Sequence, residues 1–400
     1  MGYRHRLSKK ILRKMFKRRL LFALLIAILL IPLWMWLWWL LTPKTKLVVA
    51  IIDKTVLSPK AQEHSSITWV LNNNRFTKTP TQEYDASHDY FGFFPGDKKK
   101  YTIKGLERFS SAQLNKLSSD ADVVYFTDTY GVYENEWYGK SDIGGRSQII
   151  YGGLSSQDNE FLKDMKERHK LILAEFNTFG SPTNVGNRVT FENLFGMHWS
   201  GWMARYFVSF DTTKNKDLPK WLIRDYKNEN DNKWPFHRAG IAFVNDRDQV
   251  VVLEDSTHLT DPMPHIISSG YGRNNLSLPE NIKYSFWIDV INPELSINHV
   301  VSRYDISVNK KGAEELKKYD IPRTFPAIIM HNDKDYRFYY FSGDFSDNPI
   351  GMGSSYFKGI AAFKWLYYNS EDPTERGGFF WNFYRPMMQN ILRENMVDNK

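Results

Sequence analysis

Cysteine is absent from all 400 residues. That excludes disulfides, thiolate metal sites and any thiol nucleophile, and it leaves a location outside the cytoplasm chemically untroubled. No pair of histidines has zinc-protease spacing and no Gly-x-Ser-x-Gly elbow occurs, so two common hydrolase signatures are missing. No cofactor motif or metal-ligand spacing stands out; Gly351-Met-Gly353-Ser-Ser before a helix fits no full phosphate loop. Internal repeats and low-complexity tracts are lacking too. No Pro/Gly/Ser-rich linker divides residues 47–400, which therefore read as one elaborated domain.

Acidic residues are missing from residues 1–19, a stretch that carries nine Lys and Arg. Directly behind it, Leu20 to Leu41 is a run of 22 uncharged residues. At about 1.5 Å of helix rise per residue the run spans roughly 33 Å, enough to cross a hydrocarbon core. It is longer than a signal-peptide core, and Thr42-Pro43-Lys44 offers no small-x-small cleavage site. Trp34, Trp36, Trp38 and Trp39 crowd its far end, where indoles favour the headgroup layer, and Pro32 is placed to kink it. The expected organisation is a basic cytoplasmic tail (1–19), a single-pass membrane anchor in contact with lipid (20–42) and an extracytoplasmic domain (43–400), because basic flanks stay on the cytoplasmic side.

The formal net charge of +8 belongs to that tail, which contributes +9 and leaves the other 381 residues at −1. A nucleic-acid partner thereby loses its electrostatic basis. Aromatic residues are plentiful, with 13 Trp, 22 Tyr and 27 Phe. They suit either sugar stacking or the core of a large domain.

Leu47-Val-Val-Ala-Ile-Ile-Asp53, Ala121 to Phe126 and Leu171-Ile-Leu-Ala-Glu175 are short continuous apolar runs, as expected of strands buried on both faces. Ile149-Ile150-Tyr151 reads as a further strand breaking into a Gly152-Gly153 turn. Helices are expected over Ser111–Leu117 with Ser110 as cap, and over Asn159–His169 with Ser155 or Ser156 as cap. Later elements include strands at Val250–Glu254 and Tyr284–Val290, a hairpin of Ala327–Met330 with Arg337–Phe341, and helices at Tyr356–Tyr367 and Pro386–Glu394. Alternating strands and helices imply an α/β fold with a mostly parallel sheet and helices on both faces.

In such sheets ligands bind beyond the carboxyl ends of the strands, where Asp53, Asp128 and Glu175 stand. Converging carboxylates raise one another's pKa, bind a cation or accept hydrogen bonds from a polyol. Alternatively each caps the helix after its strand, which Asp does well and Glu poorly. Asp344, in Gly343-Asp344-Phe345-Ser346-Asp347, either joins the same crevice or satisfies its own turn. Trp199-Ser-Gly-Trp202-Met-Ala-Arg205 is either a stacking face with a polar clamp or an aromatic packing cluster.

The sequence from Ile149 through Gly152-Gly153-Leu-Ser155, followed by a helix and Lys170-Leu-Ile-Leu-Ala-Glu-Phe-Asn177, resembles the class I glutamine amidotransferase fold, a flavodoxin-like arrangement. Phe325-Pro-Ala-Ile-Ile through Tyr336 to Asp344 is similar to the closing segment of ThuA-like members, relatives associated with sugar utilisation. The resemblance implies oxyanion-hole amides at Gly152 and Gly153 and an elbow at Glu175-Phe176-Asn177. The elbow has no thiol, so glutamine hydrolysis by a thiolate is impossible. The family's His-x-Glu pair has only His258 as a loose counterpart. The implied function is binding or processing of cell-envelope carbohydrate, with Glu175, Asp53 and Asp128 as catalytic candidates. Gly152, Gly153, Asn177, Trp202, Arg205, His258 and Asp344 are the ligand-binding candidates. The alternative is a non-catalytic module of a membrane polysaccharide synthase or exporter.

Overall fold

The computed structural model describes residues 2–60, 62–139, 147–372 and 374–398. The chain starts with two helices, Gly2–Leu29 and Ile31–Leu41. Side chains of the basic residues from Arg4 to Lys14 lie outside the described part. The expected single anchor helix is in fact a pair, Met15–Leu29 and Ile31–Leu41, bent by 47°. Pro32 explains the break, since it lacks an N–H and its ring crowds the carbonyl four residues back. No single helix among the described residues is long and apolar enough to cross a membrane; the bent pair passes on length and composition together.

Among the described residues, two sheets form the body of the fold. Their strands are β1 (Val49–Asp53), β2 (Phe91–Pro95), β3 (Tyr101–Ile103), β4 (Val123–Asp128), β5 (Leu171–Glu175), β6 (Met197–Phe207), β7 (Gly240–Asn245), β8 (Val250–Glu254), β9 (His265–Ser268), β10 (Asn281–Lys283), β11 (Trp287–Pro293), β12 (His299–Asp305), β13 (Thr324–Asn332) and β14 (Arg337–Phe341). The large sheet has the order β10-β9-β12-β13-β14-β5-β4-β1-β2-β3. Only its centre, β14-β5-β4-β1-β2, is parallel; β3 on one flank and β13, β12, β9 and β10 on the other run antiparallel. The fold is therefore a mixed α/β one, not the mostly parallel sheet expected. Val, Ile and Leu runs identify central strands but say nothing of the edge strands, whose alternation is broken by polar residues.

Side chains of the central strands alternate between two cores, as the two-residue period of a strand requires. Val49, Ile51, Val123, Tyr125, Leu171 and Leu173 enter one, covered by Ile67, Trp69 and Val70 of the helix Gln62–Asn73 and by Phe380 to Leu392. Ala50, Ile52, Val124, Phe126, Ile172 and Ala174 enter the other, covered by Leu114, Phe161, Leu162 and Met165. The covering helices Ser111–Asp120 and Ser156–Glu167 start at capping boxes on Ser110 and Ser155.

The second sheet, β8-β7-β6-β11, is antiparallel throughout. It stands against the large sheet where Asp289 N–H donates to Ser342 O at 2.8 Å. Two further expectations change. Ile149–Tyr151 pairs only with Val132–Tyr133 and stays out of the large sheet. Tyr356–Tyr367 is not an α-helix but short 3₁₀ turns, Met352–Tyr356 and Ile360–Leu366.

Candidate functional site

The parallel strands β1 and β4 end level with each other, with Asp53 registered opposite Asp128. Neighbouring strands lie about 4.8 Å apart, so the two carboxylates begin from adjacent positions. Each first satisfies its own turn: Asp53 Oδ1 accepts from Thr55 N–H at 3.0 Å, and Asp128 Oδ1 from Tyr130 N–H at 2.6 Å. Their second oxygens differ in fate. Asp53 Oδ2 meets His64 Nδ1 at 2.5 Å, and His64 Nε2 faces the Ala86 carbonyl at 2.6 Å. A carbonyl only accepts, so Nε2 donates to it, and Nδ1 faces the Asp53 carboxyl. Asp53 is thus fully enclosed and occupied.

Asp128 instead lines a cleft of about 490 Å³ that opens above the strand ends, between the large sheet and the second one. Glu63, Asp344 and Asp347 share that lining with Asn177, and aromatic walls come from Trp199, Trp221, Phe286 and Trp287. The carboxyls crowd one another. Burial pushes the Asp128 carboxyl well above its usual range, and the Asp53 charge adds to this. Burial and then Asp53 raise Glu63 to about 9. Asp344 is raised by burial and by Asp347. Arg376 offsets part of the charge. Its guanidinium lies 3.0 Å from Asp347 and 3.9 Å from Asp344, and stacks 3.9 Å from the Phe286 ring.

Glu175 ends β5 but turns away from the cleft. It is fully buried and accepts from Tyr125 Oη at 2.7 Å, from Ser346 N–H at 3.2 Å and from Ser346 Oγ. Burial and, next, Asp344 raise its pKa. The elbow after it puts Asn177 in the left-handed region (φ 64). Asn177 N–H donates to Asp289 Oδ2 at 3.2 Å, which also accepts from Tyr340 Oη at 2.7 Å. Asp289 is raised to about 7 by burial, against those two hydrogen bonds.

The expected oxyanion hole is not formed by the glycine turn. Gly153 N–H already donates to Thr129 O at 2.7 Å, and its carbonyl accepts from Lys54 Nζ at 3.0 Å. Gly152 (φ 152) lies against backbone, and a Cβ there would stand 2.6 Å from Gly131 Cα. The two glycines are needed for close approach. Trp202 also lies elsewhere: it is a buried core residue, its carbonyl accepting from Trp199 Nε1 at 3.0 Å. Arg205 stacks behind the wall, 4.9 Å from Phe286 and 5.6 Å from Trp287. His258 is remote from the cleft, where its Nδ1 accepts from Glu254 N–H at 3.2 Å and closes a turn.

Sequence reasoning missed Glu63, His64, Asp289 and Arg376. The first two ride on a helix masked by its polar surroundings. Arg376 opens a late one-turn helix, Arg376–Phe379, with no pattern around it. Among the described residues, one group has metal-ligand spacing, His331 with Asp333 and Asp335. It sits at the hairpin tip between β13 and β14, at the opposite end of β14 from the cleft. His331 is already engaged there by Ile297 O and Asp335 Oδ1, each at 2.8 Å.

The structure is similar to several solved ones. A ThuA-like protein from Bacteroides uniformis aligns with a TM-score of 0.37 at 9% identity, over 82% of this chain and 92% of that one. Another ThuA-like protein, from Parabacteroides merdae, gives 0.33 at 8% identity, over 75% and 79%. A carbohydrate deacetylase gives 0.26 at 9%, over 85% of this chain and 33% of that one. No protein-family model matches the chain, and no curated protein matches it in sequence. At these scores and identities the likeness carries no argument about this chain, whose mixed α/β architecture rests on its own strand order.

Proposed function

We propose that this chain binds cell-envelope carbohydrate in the acid-floored cleft, on a thiol-free ThuA-like domain held at the membrane by residues 20–41. One observation carries the reading: carboxyls and an amide (Glu63, Asp128, Asp344 and Asn177) share one open cleft with four large aromatic rings. Sugars present apolar C–H faces that stack on such rings, and hydroxyls that donate to carboxyl oxygens. A space of about 490 Å³ falls in the range that small ligands occupy. Binding is favoured over bond cleavage because two of the three acid–base candidates are out of reach. Glu175 is spent on Tyr125 and Ser346, and Asp53 on His64. The basic tail and the bent apolar pair support the membrane attachment.

The full chain in detergent is to be titrated with a panel of neutral, acidic and amino-sugar oligosaccharides, followed by calorimetry. At least one class binds, and Trp221→Ala weakens it about tenfold, the loss of one stacking contact worth about 1.4 kcal/mol. A panel that gives no heat at all sinks the reading. It would turn attention to the alternative of a scaffold in a polysaccharide synthase or exporter.

A further inference from the structure

The body of the protein is fastened to the second N-terminal helix, Ile31–Leu41, by direct contacts. Trp39 is buried, its Nε1 donates to Asn72 O at 2.9 Å, and its ring meets Tyr356 edge-on at 4.9 Å and the Arg75 guanidinium at 4.0 Å. Lys358 N–H donates to Met35 O at 3.1 Å, and Gly359 lies against the Trp38 ring. The domain thus grips one side of this helix at the level of Met35 to Trp39. The other side stays bare, with Trp34 59% and Leu41 78% exposed.

The gripping segment continues from Gly359 into the 3₁₀ turn Ile360–Leu366. Trp365 follows Gly359 by six residues, across a kink at Phe363. Trp365 is 65% exposed and Leu366 61%, a large apolar pair on a soluble surface. Such a pair beside an aromatic-rich apolar helix has a fitting solvent, the headgroup layer of a bilayer, where indoles partition.

We propose that Trp365 and Leu366 form a second, interfacial membrane contact beside the helical anchor. This rests on the reading that residues 20–41 enter the bilayer. It fixes an orientation as well. The helix Gln62–Asn73 runs from the cleft, where Glu63 sits, to the grip at Asn72. Nine residues of helix make about 14 Å. The bilayer therefore lies at the amino ends of the parallel strands, and the cleft faces away from it.

Because the chain has no cysteine, single-cysteine labelling is clean. Full chains carrying Trp365→Cys, Leu366→Cys, Leu24→Cys or Val185→Cys are labelled with an environment-sensitive fluorophore. Each is placed in phosphatidylethanolamine/phosphatidylglycerol vesicles containing lipids with nitroxide headgroups or acyl chains. Val185, exposed beside the cleft-lining Ser181, reports the side expected to be free of lipid. The labels at 365 and 366 shift to the blue and lose most of their emission to headgroup nitroxides, the label at 24 loses its emission to acyl-chain nitroxides, and that at 185 does neither. Labels at 365 and 366 that behave like the one at 185, while the label at 24 is quenched, overturn the interfacial contact alone. A blue shift at 365 without quenching by either lipid also overturns it and points to a protein cover. An unquenched label at 24 removes the membrane reading and this inference with it. Unchanged melting temperatures of the labelled variants confirm that each still folds.

Discussion

Asp53 and Lys54 are neighbours in sequence at the end of one strand, yet their side chains enter opposite kinds of surroundings. Lys54, fully buried, donates to Asp158 at 2.6 Å, to Glu107, and to the Gly153 carbonyl. Burial alone would strip its proton, but Asp158 and then Glu107 outweigh burial and hold the ammonium charged. That side is a network in which each of the three Lys54 N–H donors finds an acceptor. On the Asp53 side, Glu63, Asp128, Asp344 and Asp347 outnumber the Arg376 guanidinium that offsets them, and burial and like charge both push protons onto Glu63, Asp128 and Asp344. A matched set builds the fold. A surplus of acceptors facing a cleft is stable only with protons or ligand donors attached, and this is why the cleft rather than the Lys54 network reads as the site.

The largest expected effect comes from breaking the matched side. Lys54→Met leaves Asp158 buried without its cation and costs about 3–5 kcal/mol, to be read from denaturant unfolding of the full chain in detergent. If the variant is as stable as the parent, Lys54 is not the keystone of that network.

Next in size is a pH effect whose window differs between the two sides. Glu63 has a folded pKa of about 9 against 4.5 for the ordinary carboxyl. The folded state therefore holds the extra proton between those values. Its contribution is fully present below 4.5 and is lost as pH rises towards 9, with a slope of up to about 1.4 kcal/mol per pH unit. Asp128 and Asp344, also raised, act in the same direction. Lys54, raised above 10.5, contributes its share throughout this window and loses it only above it. Melting followed from about pH 5 to about pH 9 should fall, and Glu63→Gln should flatten the fall. An equally steep profile in the variant would remove Glu63 from the cluster.

The central strands were legible because continuous Val, Ile and Leu runs have one physical use, burial on both faces. Leu171–Glu175 came out to the residue, and Ser110 and Ser155 marked their helices through capping chemistry. The helix Gln62–Asn73 was not, because its inward face includes His64, Ser65, Ser66, Thr68 and Asn72, all buried and polar. Its end at Asn72-Asn73-Asn74 also reads as a turn. Of these, His64 holds the strand-end Asp53, so one of the features that hid the helix serves the site. The acids at strand ends could be picked out, but not which oxygen each would already have spent. Glu175 lost its freedom to Ser346, 171 residues further along the chain. The second sheet was half legible: Val250–Glu254 and part of Trp287–Pro293 read as strands, but its long strand Met197–Phe207 did not, because it mixes His, Ser, Gly and Arg with its aromatics.

Two smaller effects sharpen the contrast within the acid set itself. Asp128→Asn keeps the shape but loses the carboxylate that faces the cleft. Carbohydrate affinity should drop about tenfold, near 1.4 kcal/mol, while the melting temperature holds or rises, since burial and the Asp53 charge both disfavour the ionised acid there. Calorimetry with the best-binding oligosaccharide checks this.

The smallest expected effect on binding belongs to Glu175, although it occupies the position that the sequence makes most suggestive. Its oxygens face donors from Tyr125 and Ser346 and lie behind the floor, so Glu175→Gln replaces one acceptor by an amide nitrogen in a sealed space. That costs about 1 kcal/mol of stability, because the backbone N–H or one hydroxyl must find a new partner. Ligand affinity should be unaltered, since Glu175 is not among the residues that line the cleft. Loss of binding with an unchanged melting temperature would invert the assignment. It would mean that the Ser346 turn opens during ligand capture and exposes Glu175, making the two acid populations interchangeable rather than distinct.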